Sequence, residues 1–288
     1  MSISDASSRA APQAPELLPG PAPGSWRERC EWFRIRLLQE PPPGLNADEI
    51  ESHCSAMPPH YWEKVTAGDL VWGLEAVHGF LSLVASSQTA PTAPFMQWRQ
   101  TPESGCTRLL LCTWDRRGLL AKAAAAFSAM KMNILRAEVF TRSDHIVLDD
   151  FAVADADGRG LVEESRLHEA SFLVEGALQE PPRFASIWAC SRHKWVAPPE
   201  RKPAQVRLDN HSSSKATLVH IEATDRLGLL YDVLQTVADA GLDVTEAGIT
   251  TEGGRACDVI QVVDERRQKL ADPARLAWLQ ERLELALG

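Results

Sequence analysis

The sequence predicts an α+β chain in which a small helical region precedes two tandem copies of one module, each an antiparallel sheet covered on one face by two helices. Three observations carry this. Apolar residues recur at helical spacing up to about residue 90, then fall into short strand-like runs that alternate with helices. The string TWDRRGLLAK returns as ATDRLGLLYD, with Asp115 and Asp225 separated by 110 residues. Each copy then orders its elements as strand, strand, helix, strand, strand, helix.

Residues 1–24 are rich in Ala, Pro and Ser without a basic start and apolar core, so they read as a disordered tail and not a secretory signal. The helical region is placed at 25–90. Trp26, Cys30, Phe33 and Leu37 form one stripe, ended by the PPPG run at 41–44. A second helix starts at Asn46, with Glu49 at capping-box spacing and Ile50, Cys54 and Met57 as its apolar face. A third carries Leu70, Leu74, Val77 and Leu81, with Asp69 as the expected cap.

Module 1 is placed at 95–180, a linker at 181–204 and module 2 at 205–288. The 110-residue offset aligns Gly118 with Gly228, and the helix face Leu120, Ala123, Phe127, Met130 with Leu230, Val233, Val237, Ala240. One residue fewer in the second hairpin shifts the offset to 109, so Asp149 meets Asp258 and Asp155 meets Asp264. Closing helices are expected near 161–178 and 273–286. Short strands at 95–99 and 205–209 precede each copy, and since the chain stops directly after a helix, either each copy uses its own leading strand or the copies exchange them. A four-stranded sheet with two helices on one face is the ferredoxin-like (βαββαβ) arrangement.

A net charge of −9 and a pI near 5.4 exclude nucleic acid as the main partner, which needs clustered Lys and Arg. No run reaches the roughly 18 apolar residues of a membrane span. The six cysteines show no CxxC and are read as free and reduced, hence a cytoplasmic chain; Cys54, Cys112 and Cys257 sit in apolar-periodic stretches. The eight histidines show no metal spacing, and no catalytic triad or cofactor motif emerges, so no metal, cofactor or catalytic residue is assigned. The strings SDH at 143–145 and LDD at 148–150 read as turn residues and strand ends. Arg192, His193, Lys194, Arg201 and Lys202 read as a solvated basic run in the linker.

DRRGLL and DRLGLL after an apolar strand, then a helix, then Asn133-Ile134 or Asp243-Val244 opening the next strand, resemble the ACT domain. TRSDHIVLDDFAVADADGRG and AGITTEGGRACDVIQVVD resemble more closely the C-terminal modules of the bacterial bifunctional uridylyltransferase/uridylyl-removing enzyme that modifies the PII signalling protein. MPPHYWEKVTAGDLVW is similar to the helical stretch preceding those modules, so the resemblance covers about residues 45–288. The S-D-x-D pair and H-D dyad by which that family's catalytic domains are recognised are not found. Where the family usually has proline before the loop glycine, this chain has Arg117 and Leu227, which restrain the loop less.

The loop between first strand and first helix is the candidate site. A helix N-terminus offers backbone N–H donors and positive potential to a carboxylate, and Gly118 and Gly228 permit a tight turn. Asp115 and Asp225 fit either an N-cap or an α-ammonium contact. Asn133 and Asp243 fit a turn or a ligand contact. The resemblance implies two ligand sites between paired modules, the loop of one facing the first-helix and second-strand region of another, lined in all by Asp115, Arg116, Arg117, Gly118, Leu119, Leu120, Asn133 and Ile134 of the first copy and Asp225, Arg226, Leu227, Gly228, Leu229, Leu230, Asp243 and Val244 of the second. It implies a non-catalytic sensor of a small amino acid, glutamine by analogy, working with a PII-pathway or other regulatory protein and compatible with a homodimer. A uridylyltransferase-related enzyme fragment and a ligand-free interaction module are the alternatives.

Overall fold

The computed structural model describes residues 24–86, 92–101, 105–155, 158–161, 163–179 and 203–288. The expected N-terminal tail and the basic linker run lie outside them. The chain divides into two units, residues 1–78 and 79–288.

The first unit is helical. Helix α1 (Trp26–Gln39) opens with a capping box between Ser25 and Glu28, and α2 (Ala47–Ala56) with the box between Asn46 and Glu49, each satisfying two backbone N–H groups that a helix start leaves orphaned. A short α3 (Pro59–Lys64), which the helical periodicity does not reveal, begins with proline at its first position and buries Tyr61 and Trp62. Trp62 packs on Phe33, Tyr61 and His53, and Arg29 donates to the Val65 carbonyl at 3.0 Å. Helix α4 (Ala67–Ala85) starts in this unit. Its first turn is capped by Thr66, whose hydroxyl accepts from the Asp69 N–H at 3.2 Å; Asp69 sits three residues inside, not at the cap.

The second unit holds one eight-stranded antiparallel sheet. Module 1 runs β1 (Phe95–Thr101), β2 (Cys106–Trp114), α5 (Leu119–Ala129), β3 (Asn133–Thr141), β4 (Ile146–Ala154) and α6 (Glu164–Gln179). Module 2 repeats it as β5 (Gln205–Asp209), β6 (Thr217–Thr224), α7 (Leu229–Asp239), β7 (Asp243–Glu252), β8 (Arg255–Val263) and α8 (Pro273–Leu287). The strand order is β1-β2-β4-β3-β7-β8-β6-β5. Each module therefore uses its own leading strand at the outer edge, where a βαββαβ chain would place its last strand. Leu81, expected on the buried stripe of α4, is 39% exposed; the neighbouring Phe80 is buried instead, edge-on to Trp114 at 5.3 Å.

The modules join through β3 and β7, where Ala137 faces Ile249. Both strands carry a register shift at equivalent places, Ile134/Arg136 and Val244/Glu246. The sequence of α5, with Ala121, Ala123, Ala124, Ala125 and Ala126 all buried, presents a low-profile surface, and α5 packs against α7. A single apolar core runs through both modules, so neither sheet nor helix layer is interrupted at the junction.

Candidate functional site

The pairing of β3 with β7 fixes a rough two-fold relation, and it creates two equivalent crevices. In crevice 1 the loop before α5 faces the end of α7 and the start of β7; in crevice 2 the loop before α7 faces the end of α5 and the start of β3. Asp115, Arg116, Gly118, Leu119 and Leu120 line crevice 1 together with Asp243 and Val244 of the other module. Asp225, Arg226, Gly228, Leu229 and Leu230 line crevice 2 together with Asn133 and Ile134. Arg117 and Leu227 are not among the lining residues. Arg117 turns outward, 3.9 Å from Glu265, a distance at which an exposed pair contributes little.

Gly118 and Gly228 are the N-caps of α5 and α7 and lie in the left-handed region, at φ 73° and 78°. No side chain caps either helix, so Asp115 and Asp225 do not serve as N-caps. Their amides instead tie the loops to the neighbouring hairpins, Asp115 N–H to the His145 carbonyl at 2.7 Å and Asp225 N–H to the Gly254 carbonyl at 2.9 Å. Nor are Asn133 and Asp243 turn residues. Each is the first residue of its strand and projects into the other module's crevice.

The two crevices differ in how those residues are partnered. In crevice 2 the Asn133 amide donates to Asp225 at 2.6 Å. In crevice 1 the matching pair is Asp243 and Asp115, two carboxylates, and Arg267 lies between them at 3.1 Å from Asp243 and 3.8 Å from Asp115. Burial raises the Asp115 carboxyl, the charge of Asp243 raises it further, and Arg267 pulls it back. Burial also raises Asp225, against the hydrogen bond from Asn133.

At the floor of each crevice lies a carboxylate that the loop motif does not include. Asp149 on β4 is 1% exposed, and neither of its oxygens makes a well-formed hydrogen bond. Burial and then the charge of Asp115 push its carboxyl well above the usual range, against the nearby Phe140 backbone N–H. Asp258 on β8 is 2% exposed; one oxygen accepts from the Thr250 N–H at 3.3 Å and the other has no partner. Burial raises it to about 7, opposed by Thr250 and aided by Asp225. The 109-residue register already pairs Asp149 with Asp258. Two-residue alternation with Val147, Phe151 and Val153, and with Ala256, Ile260 and Val262, is the signal that puts both on the helix-covered face. The LDD string is thus mid-strand, not a strand end: Asp149 points inward, whereas Asp150 on the other face pairs with Arg108 and Arg136.

Both crevices are nearly closed, with about 30 Å³ of space in the first and about 10 Å³ in the second. That is room for a water molecule or so, and an amino acid enters only if the loop and the facing strand part. Among the described residues no group of three or more His, Cys, Asp or Glu side chains converges as a metal site, and no helix is long and apolar enough to cross a membrane. Of the described cysteines, Cys54 and Cys112 are buried, but Cys257, expected to pack as a small hydrophobe, is exposed because it points away from the core on β8.

Two ferredoxin-like sheets joined edge to edge, with a glycine-started helix facing the partner module in each crevice, define a tandem ACT-type region. Comparison with known proteins agrees. Residues 205–288 match the profile of the ACR9-like, ACT-like domain. The chain is 35% identical over 192 residues to the bifunctional uridylyltransferase/uridylyl-removing enzyme of Gluconobacter oxydans (strain 621H), covering 65% of this chain and 20% of that one. It is 31% identical over 197 residues to the enzyme of the same name from Rhodospirillum rubrum, again covering 65% and 20%. The Azospirillum brasilense enzyme aligns over 247 residues at 28% identity, covering 85% of this chain and 26% of that one. The chain is thus homologous to the C-terminal region of these enzymes and spans about a fifth to a quarter of their length. Among solved structures, aspartate kinase from Synechocystis aligns at 15% identity with a TM-score of 0.30, over 56% of this chain and 25% of that one, too distant a likeness to build on.

Proposed function

We propose that the chain is a non-catalytic, cytoplasmic regulatory protein that binds a small amino acid in the crevices between its two ACT-type modules and passes the resulting change in module pairing to a partner protein. One observation carries the reading. The two loops with left-handed glycine each face the start of the other module's strand, so a molecule in either crevice touches both modules and favours one arrangement of the pair. By the resemblance to the uridylyltransferases that modify PII, glutamine and a PII-type protein are the first ligand and partner to test. Calorimetric titration with the twenty amino acids is expected to show at least one binding well below millimolar; silence across the panel removes the sensing reading.

A ligand-free interaction module is the second reading, favoured by crevices of only about 30 and 10 Å³. It predicts stoichiometric capture of a partner that no amino acid alters. The enzyme reading stands on the relatives' names alone, and addition of uridylyl mass to PII protein by the pure chain with UTP and magnesium would establish it.

A further inference from the structure

The turns that follow β4 and β8 have the same hydrogen bonds. In module 1 the Asp155 N–H donates to the Arg159 carbonyl at 2.7 Å and the Gly158 N–H to the Asp155 carbonyl at 3.0 Å. In module 2 the Asp264 N–H donates to the Gln268 carbonyl at 2.8 Å and the Arg267 N–H to the Asp264 carbonyl at 2.9 Å. The 109-residue register makes Gly158 and Arg267 equivalent, and both are left-handed, at φ 77° and 60°. Glycine takes that conformation freely, whereas arginine is strained in it. Arg267 is held in that conformation where its guanidinium spans Asp115 and Asp243 at the mouth of crevice 1. Gly158 offers crevice 2 no such group, and there the Asn133–Asp225 hydrogen bond joins the modules directly.

A second and independent feature lies deeper in the same crevice. Asp149 is almost wholly buried on the crevice floor with the Phe140 backbone N–H as a weak donor and no well-formed hydrogen bond to either oxygen, and burying a polar group so poorly partnered is costly. Crevice 1 thus has acceptors at its mouth, satisfied by a protein cation, and an under-satisfied acceptor at its floor.

Building on the amino-acid-sensing reading, we propose that crevice 1 alone is the receptor for a protonated primary amine, that Arg267 occupies its mouth in place of that amine, and that Asp149 receives the ammonium when the crevice opens. An ammonium group brings three N–H donors, enough to engage Asp149 and one of the rim carboxylates. Crevice 2 lacks the paired carboxylates at its mouth, where the Asn133 amide stands in place of the second one, so it gives a cation less.

The test is calorimetric titration of the full chain with the twenty amino acids, with the alkylamines methylamine to butylamine, and with the carboxylates acetate to butyrate. One molecule bound per chain is expected. Asp149→Asn, nearly the same shape, should weaken binding about tenfold or more. Arg267→Gly, which copies module 1, should tighten it about twofold to threefold, as loss of a half-exposed competing pair implies. Asp258→Asn should leave it unchanged. Binding that ignores Asp149→Asn, or that Asp258→Asn weakens as much, overturns the assignment while leaving amino-acid sensing intact. Binding of an amine that Asp149→Asn abolishes, with no amino acid bound, upholds the assignment and removes amino-acid sensing. Binding by none of the probes overturns both.

Discussion

Crevice 1 and crevice 2 are built by the same chain pattern and closed by different chemistry. Crevice 2 is held by a neutral amide donating to a single carboxylate, a short and self-sufficient contact between modules. Crevice 1 sets two carboxylates against each other and depends on an arginine from a third segment to hold them. Gene-level repetition of a fold therefore does not repeat its electrostatics. One substitution at the start of a strand, Asn133 in one copy and Asp243 in the other, turns a latch into a pair of like charges that needs a cation.

The comparison is most strongly tested at the outer edges of the sheet. Deleting Phe95–Arg99 removes the strand that completes module 1, including Trp98, whose indole N–H donates to Ser171 at 2.8 Å. Exposing the β2 edge and losing that packing should cost roughly 3 kcal/mol or more. The five-residue β5 pairs in the same way with β6, and its deletion should cost less. Urea unfolding of the two deletions gives the order, and an unchanged midpoint for the first would mean that β1 is dispensable.

Comparable in size is the effect at the floor of crevice 2. The folded-state carboxyl of Asp258 is raised from 3.8 to about 7, so the folded state holds the proton more tightly than the unfolded chain. The stability this gives is full below 3.8 and falls as pH rises through about 7, by up to about 4 kcal/mol. Asp258→Asn should therefore raise the melting temperature at pH 8 and leave it nearly unchanged only near pH 3, below the unfolded value of 3.8. Equal effects at both pH values would show that Asp258 ionises without penalty in the fold.

Placing valine at Gly118 or Gly228 forces a β-branched residue to positive φ and should cost about 2 kcal/mol in either copy. No neighbour lies within 4 Å of a Cβ added at Gly118, so there the cost is backbone strain and not collision. Gly118→Val is expected to abolish ligand binding and Gly228→Val to spare it, and loss of binding in Gly228→Val would show that the crevices are coupled.

The smallest expected effect separates the latch from the like-charge pair. Asn133→Ala should destabilise by about 1 kcal/mol, the worth of one hydrogen bond whose acceptor is then left half-buried. Asp243→Ala removes a charge that Asp115 repels and should come out close to neutral. Thermal denaturation at pH 7 compares the two, and equal losses would remove the distinction between the crevices.

The repeat could be read from the chain because it rests on local rules. Leu120, Ala123 and Phe127 keep helical spacing in the first copy as Leu230, Val233 and Val237 do in the second, and a glycine before each helix marks a left-handed cap. The α3 helix escaped that reading because six residues after Pro58 are too short to show a period. Asp149 and Asp258 escaped for another reason: a carboxylate in an apolar strand looks like a strand end until its alternation with Val147 and Phe151, or with Ala256 and Ile260, is followed. Their shared register was visible, but their missing partners were not.

The sequence by itself determined two copies of a ββαββα module with a loop glycine in each, since periodicity, caps and turn residues act over a few positions. Only the tertiary structure decided that β3 pairs with β7, because either strand has an edge that could accept another partner. That single pairing brings Asp115 to Asp243 and Asn133 to Asp225, residues 128 and 92 positions apart, and it sets Arg267 over one crevice and not the other. Charge against charge is a matter of distance in space, and no local pattern encodes it.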